Sequence, residues 1–169
     1  PNPGEGWRPV RNSPAHAPIL HFRGDHAFLS NFHIIDRDRS PITAVFRRDN
    51  LVIAVPTVEH AYQAAKAQDS VDFSRVARSS TPSMAKALGR RIELRADWEA
   101  VKLDVMYRAL EKKFMHPIMR RLLLDTGDRW LEERNSWGDR YWGRDEDGRG
   151  ENHLGRLLMG LRSSLAGLT

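Results

Sequence analysis

The chain has 169 residues, 40% of them hydrophobic, which is enough for one compact core and too little for two ordinary domains, so a single domain is the working expectation. It contains no cysteine, which excludes disulfides, thiolate nucleophiles and Cys-based zinc sites; its seven histidines include no pair at the i, i+4 spacing of a zinc-binding helix, so no structural metal is expected. The 27 Lys and Arg residues outnumber the 22 Asp and Glu to leave a formal net charge of +5, which suits an anionic partner such as a nucleic acid, a nucleotide or a phosphorylated metabolite, or else does no more than solvate exposed helix faces.

Pro1 to Pro18 carry five prolines and almost no apolar periodicity, and read as a flexible extension outside the fold. The first residues lack the apolar core of a signal peptide, and no apolar run approaches the roughly 20 residues of a membrane span, so a soluble, cytoplasmic protein with no membrane partner is expected. The chain does not begin with Met, which leaves open whether it is trimmed or cut from a longer protein. Ile19 to Phe22 reads as the first strand and Phe28 to Asn31 as a turn. Two β-favouring runs, Ile42 to Phe46 and Leu51 to Val55, flank the polar connection Arg47-Arg48-Asp49-Asn50 and suit a hairpin.

Pro56-Thr57 ends that strand, and the Thr57 hydroxyl can cap a helix from Val58 to about Gln68. A further helix starts at Thr81-Pro82, with Pro in the first helical position, and ends at Gly89. From Asp97 to Phe114, Trp98, Val101, Leu103, Val105, Met106, Leu110 and Phe114 recur at three- and four-residue spacing, predicting the longest and most buried helix. His116 to Leu124 is a helix after the Pro117 break, closed at Gly127. Arg129 to Arg134 is a short strand, and Asn152 caps a last helix with a stripe of Leu154, Leu157, Leu158, Leu161 and Leu165. The sum is an α+β domain, rich in helix, with a small antiparallel sheet.

Three segments can carry chemistry. At about 100° per residue, Val58, Ala61, Tyr62 and Ala65 share one face of the Thr57-capped helix, Glu59, Gln63 and Lys66 border it, and His60 and Ala67 point away from the core. An acid, an amide and an amine beside an aromatic ring can line a pocket; equally, Glu59 suits the first turn of any helix and the trio can be a solvated stripe. In Glu133-Arg134-Asn135-Ser136-Trp137-Gly138-Asp139-Arg140-Tyr141-Trp142-Gly143, three large aromatics among glycines either plug a core edge or make a stacking surface, and Glu133 and Asp139 add candidate acids. A carboxylate pair can serve glycosidic cleavage, one protonating the leaving group and one assisting attack. Phe28-Leu29-Ser30-Asn31-Phe32 sets a Ser and an Asn among apolar residues, where a turn-stabilising Asn is the commoner role.

Together with Thr57-Val-Glu-His-Ala-Tyr-Gln-Ala-Ala-Lys66, Ala87-Leu-Gly-Arg90, Thr126-Gly127 and Gly150-Glu-Asn-His-Leu-Gly155, these pieces resemble the NADAR family, also called YbiA-like, from Ile19 to Leu165. The N-terminal extension and the stretch Asp36 to Asn50 fall outside the pattern. The resemblance implies an α+β fold with no metal or cofactor, and cleavage of N-glycosidic bonds in ribose-phosphate compounds. Two substrate classes are implied, early riboflavin-pathway intermediates of the phosphoribosylaminopyrimidine type and ADP-ribose joined to guanine in nucleic acid. It puts Lys66 forward as the amine that attacks the anomeric carbon and forms a Schiff base with the opened sugar, and Glu59 or Glu133 as the acid/base. Trp137 and Trp142 would stack on or wall the base, Asn31 and Asn152 would hold sugar or phosphate, and Asp139 would order the aromatic loop. Phe32, Tyr62, Gln63, Asn135 and Gly143 complete the expected substrate-binding set. The rival from another class is a non-catalytic module reading nucleic acid or ADP-ribose through its basic surface and the Trp137/Trp142 pair. Oligomeric state and the role of the extension are not legible.

Overall fold

The computed structural model describes residues 17–36 and 40–167. The expected extension therefore lies outside the described residues except for Ala17 and Pro18. The described chain forms a helix-rich α+β structure: six α-helices, one two-stranded antiparallel sheet and short 3-10 turns. It gathers into two compact units, one containing Leu29–Arg121 and the other containing the flanking segments up to Phe28 and from Leu122. No described helix is long and apolar enough to cross a membrane.

In the Leu29–Arg121 unit, β1 (Thr43–Phe46) and β2 (Leu51–Ala54) pair with Ala44 opposite Ile53 and Val45 opposite Val52. Period-two alternation buries Ala44, Phe46 and Ile53 on one face and leaves Val45 and Val52 exposed on the other. The connection is a 3-10 turn, Arg47–Asp49, and Asn50 takes the left-handed conformation with φ 51°, which its short polar side chain tolerates. Phe46 meets Phe73 with ring centroids 5.4 Å apart.

Helix α1 (Val58–Ala64) starts where the sequence predicts, the Thr57 hydroxyl accepting from the His60 N–H at 3.1 Å. It ends at Ala64, not near Gln68. The Ala-rich tail has the propensity to continue, but Lys66 and Ala67 make i→i−3 bonds that tighten the last turn, and the chain then leaves to pair with a neighbouring segment: Gln68 N–H donates to the Glu93 carbonyl and Arg95 N–H to the Lys66 carbonyl. Asp69 then caps a helix that the sequence reading missed, α2 (Ser70–Ala77), accepting from the Val71 and Asp72 N–H groups.

That missed helix corrects a second expectation. His60 and Ala67 do not point away from the core; both are buried. The His60 ring reaches the Ser79 carbonyl just past α2 through Nε2, at 3.1 Å, and the Thr57 hydroxyl through Nδ1, at 2.7 Å. Because a carbonyl only accepts, His60 Nε2 donates to Ser79, and with Thr57 at Nδ1 both ring nitrogens have partners. Every residue of α1 is buried, so α1, not the longer helix, is the most buried one.

Helix α3 (Pro82–Gly89) is as expected, capped by Thr81 with Pro at its start. Helix α4 (Trp98–Met115) is the longest; Met106, Ala109, Leu110, Lys113 and Phe114 form its buried line, while Leu103, expected in the core, is exposed. Lys113 takes a core position instead. Its Nζ donates to the Ser30 carbonyl at 2.7 Å, tying α4 to the 29–33 loop, and burial pulls its pKa down from 10.5 to about 7. Helix α5 (Pro117–Leu124) follows, and Gly127 closes it with φ +61°.

In the other unit, the expected strands Ile19 to Phe22 and Arg129 to Arg134 shrink to a parallel bridge, Ile19 with Leu131, carried by Ile19 N–H to the Trp130 carbonyl and Glu132 N–H to the Ile19 carbonyl. The chain turns at Phe22 and Arg23, immediately before a 3-10 helix that begins at Gly24 and includes Phe28, so no longer ladder forms. Helix α6 (His153–Ala166) buries Leu154, Leu158 and Leu161, and its Arg162 reaches Thr126 Oγ1 at 2.7 Å and the Arg129 carbonyl at 3.0 Å. Asn152 stands at the helix start with φ 54°, but its side chain makes no cap bond. The first N–H groups of α6 are instead satisfied by backbone carbonyls: His153 bonds to Tyr141 and Leu154 to Trp142.

Unfolded Lys113 keeps its proton up to about pH 10.5, whereas the folded group loses it near 7. Between those values unfolding takes up a proton, so this residue makes stability rise with pH across that window. Denaturant titrations from pH 7 to 10 should show that rise, and Lys113→Met should flatten it; an equal slope in the variant would contradict the assignment.

Candidate active site

The first turns of α1 bring the predicted trio together inside the Leu29–Arg121 unit. Glu59 is 5% exposed and its Oε1 accepts from Gln63 Nε2 at 2.8 Å, the i, i+4 contact that helical spacing anticipates. Its backbone N–H donates to the Asn31 carbonyl at 3.0 Å, so the 29–33 loop sits on the start of α1. Asn31 is buried with its Nδ2 against Met106 Sδ. The amide oxygens of Asn31 and Gln63 are buried with no hydrogen-bond donor among the described residues, each at a cost of about 1–3 kcal/mol.

Lys66 follows α1 by two residues, its carbonyl pinned by Arg95 N–H. Its ammonium lies over two rings, 5.1 Å from the centroid of Tyr62 and 5.8 Å from that of Trp98, which themselves meet at 5.1 Å. Ring faces favour the charged amine by roughly 0.5–2 kcal/mol. Burial opposes this and lowers its pKa to about 8; Glu59 pulls back upward, and Arg90 and Lys86 push further down. The Glu59 carboxyl moves the other way: burial raises it above its usual 4.5, against the Gln63 hydrogen bond and the positive charges of Lys86, Lys66 and Arg90. An acid pushed toward its neutral form by burial thus stands in the electrostatic range of an amine pushed the same way, the pairing that general acid and nucleophile need.

Lys86 and Arg90 were missed as site residues, although Arg90 lies in one of the quoted motifs. They stand four apart, on α3 and at its C-cap, and four-residue spacing puts both on one side. Lys86 Nζ is 5.5 Å from the Phe32 ring centroid, which brings Phe32 into this neighbourhood. Gly89 is what lets α3 approach: a Cβ there would strike the Gln63 side-chain amide. Two clefts of about 300 and 470 Å³ lie elsewhere on this unit, sharing Val45, Arg47, Ala65, Arg95 and Asp97; neither is lined by Lys66 or Glu59.

The other predicted residues share a loop in the second unit. Asn135 is buried with its amide spent on the loop, Nδ2 donating to the Asp139 and Arg144 carbonyls and Oδ1 accepting from Asp139 N–H. Asp139 Oδ1 accepts from the Tyr141 and Trp142 N–H groups. Trp142 packs edge-on against Tyr141 at 5.0 Å, and Tyr141 lies 4.4 Å from the His153 ring. Trp137 is 64% exposed beside Gly138, whose φ is +80°. Gly143 has no room for a Cβ, which would meet the Glu133 carbonyl and Asn135 Nδ2. Asn152 is fully buried with both amide atoms used, Oδ1 accepting from Glu133 N–H at 3.2 Å and Nδ2 donating to the Leu131 carbonyl at 2.9 Å. It clamps the backbone that carries Glu133. A carboxylate that the sequence reading passed over, Glu132, anchors this unit through Trp130, Arg134 and Arg144. Among the described residues no group of three or more His, Asp or Glu is placed to hold a metal ion.

The fold and the Glu59–Lys66 cluster define a small α+β protein with an acid and amine site built on one buried helix. Residues 21–166 match the NADAR domain model, and the chain belongs to that family. It is 44% identical over 114 residues to the N-glycosidase YbiA of Escherichia coli K12, covering 66% of this chain and 71% of that one. It is 42% identical over 118 residues to an N-glycosidase of Nostoc punctiforme, covering 66% and 75%. The riboflavin biosynthesis protein PYRR of maize is 42% identical over 127 residues, which is 66% of this chain and 20% of the maize protein. The NMR structure of E. coli YbiA superposes with a TM-score of 0.72 at 35% identity, covering 90% of this chain and 88% of that one.

The charges around Lys66 make its titration a direct probe of the cluster. Glu59→Gln should move the Lys66 pKa below about 8, because the carboxylate that favours its ammonium is gone; Lys86→Gln should move it upward, because a like charge is gone. NMR titration of the lysine side chains reads both, and a shift of the opposite sign in either variant would contradict this layout.

Proposed function

We propose that the chain is an N-glycosidase, a hydrolase of N-glycosyl bonds, whose catalytic groups are Lys66 and Glu59. The observation that carries the reading is the buried Glu59 carboxyl acting on an amine whose pKa is lowered to about 8. The substrate is an N-glycoside of a phosphorylated ribose. Neutral Lys66 Nζ forms a bond to the anomeric carbon as the bond from that carbon to the base breaks. The electron pair leaves on the base nitrogen, which takes a proton from the Glu59 carboxyl. Loss of a proton from Nζ and opening of the sugar, with its ring oxygen protonated, leave an imine. Water adds to the imine and frees the amine, so the net change is one water consumed, one base and one ribose phosphate released.

Glu133 is the other carboxyl proposed for acid/base work. Its backbone is held by Asn152 and by Arg144, whose N–H donates to the Glu133 carbonyl at 2.9 Å, so its position within its own unit is well determined. Tyr62 and Trp98 place their rings against the amine, and Phe32 edges the same neighbourhood through Lys86.

ADP-ribose on guanine in nucleic acid is the substrate we favour, because the formal net charge of +5 suits a polyanionic partner. The riboflavin-pathway phosphoribosylaminopyrimidine is the second reading, favoured by the names of the plant relatives.

Wild-type protein should release base from one of these two substrates in a side-by-side assay, and borohydride added during turnover should leave a stable adduct on Lys66 seen by mass spectrometry. Lys66→Ala should lose activity and the adduct; Glu59→Gln should slow release by about a hundredfold. Full activity in Lys66→Ala would refute the covalent route. A loss under threefold in both Glu59→Gln and Glu133→Gln would remove the carboxyls from the mechanism.

A further inference from the structure

The three cations gathered at Glu59 exceed what that one carboxyl can balance. Glu59 is held toward its neutral form, Lys66 titrates near 8, and neither Lys86 nor Arg90 has an ion-pair or hydrogen-bond partner among the described residues. Uncompensated positive charge on one helix side is unfavourable in the free protein and is relieved when a dianion arrives.

Resting on the N-glycosidase reading above, we propose that Lys86 and Arg90 form the phosphate subsite of the enzyme, gripping the phosphoryl group of a ribose-phosphate substrate while its anomeric carbon faces Lys66. The geometry supports this in three ways. Lys86 and Arg90 project from the same side of α3, four residues apart, and Arg90 keeps helical backbone angles at the C-cap, so the spacing holds to the end of the helix. Gly89 seats that last turn against Gln63, whose own amide is bonded to Glu59. Lys86 is held over the Phe32 ring, 5.5 Å from its centroid, and its charge acts on both Glu59 and Lys66. Arginine offers a two-pronged donor to phosphate oxygens and lysine a mobile point charge, a combination suited to a terminal phosphoryl group.

The charges of Lys86 and Arg90 also lower the Lys66 pKa and oppose the rise at Glu59. A bound phosphate partly cancels them. Substrate binding therefore moves Glu59 further toward the acid form that must protonate the base, while at Lys66 it removes part of the push toward the neutral amine, leaving burial as the main cause of that amine's lowered pKa.

The test is binding of ribose 5-phosphate, with ribose as the uncharged control, measured by calorimetry on the wild type and on Lys86→Gln, Arg90→Gln and Arg91→Gln. Arg91 is exposed on the same segment and does not contribute to the charge at Glu59 or Lys66. Each of the first two changes should weaken ribose 5-phosphate by at least about tenfold, the worth of one charge-assisted hydrogen bond, and Arg91→Gln should leave it within about twofold. No measurable binding to the wild type, unchanged binding in both variants, or an equal loss in Arg91→Gln would overturn the subsite. A wild type that binds ribose 5-phosphate through these residues yet releases no base would sink the catalytic reading and leave the subsite standing.

Discussion

Burying a helix on every side is costly when it carries an acid, an amide, an imidazole and an adjoining amine, and the structure around α1 is the set of answers to that cost. His60 is satisfied on both nitrogens by Thr57 and Ser79, which requires α2 and the turn after it to be where they are. Glu59 is satisfied by Gln63 and by cations from α3, which requires Gly89 at the contact. Lys66 is stacked on Tyr62 and Trp98, which requires the start of α4. Helices α2, α3 and α4 are thus each tied to a polar side chain of α1 or of the turn that follows it.

The site follows from incomplete satisfaction. Isolated charges in a low-dielectric interior cost several kcal/mol each, so proteins neutralise, pair or solvate them. Here Glu59 is displaced toward its acid form and Lys66 toward its free base, while the amide oxygens of Gln63 and Asn31 find no donor among the described residues. Polar groups left short of partners in this way destabilise the free protein and leave interactions available to a ligand. Lys113 shows the contrasting case: a more deeply buried lysine whose amine is spent on the Ser30 carbonyl and serves to hold a loop.

The aromatic loop of the other unit is built by a different rule. Asn135, Asp139 and Asn152 devote their side chains to backbone groups, and Gly143 removes the side chain that would prevent the approach. Residue types that look like ligand contacts in the sequence serve, for Asn135 and Asn152, as internal scaffold of the loop, since both amides are buried and bonded to backbone groups. Trp137 differs from Trp142 for the same local reason: the turn at Gly138 throws one outward, while the Asp139 clamp folds the other toward Tyr141 and His153.

Sequence by itself determined what depends on near neighbours. The Thr57 cap, the hairpin at Arg47 to Asn50, the starts of α3 and α4, the Glu59–Gln63 contact and the Asp139 clamp all join residues within a few positions, where backbone geometry dictates who meets whom. Motif spacing carried the family as well. Only the tertiary structure decided where α1 ends, because residues 93–95 outcompete helix propensity after Ala64, and which way His60 faces, because α2 covers it. It also chose Lys86 and Arg90 as neighbours of Glu59 and put Lys113 in the core. Those outcomes hang on charges and contacts between segments far apart in the chain, whose strength depends on burial and distance, and neither quantity is written in the order of residues.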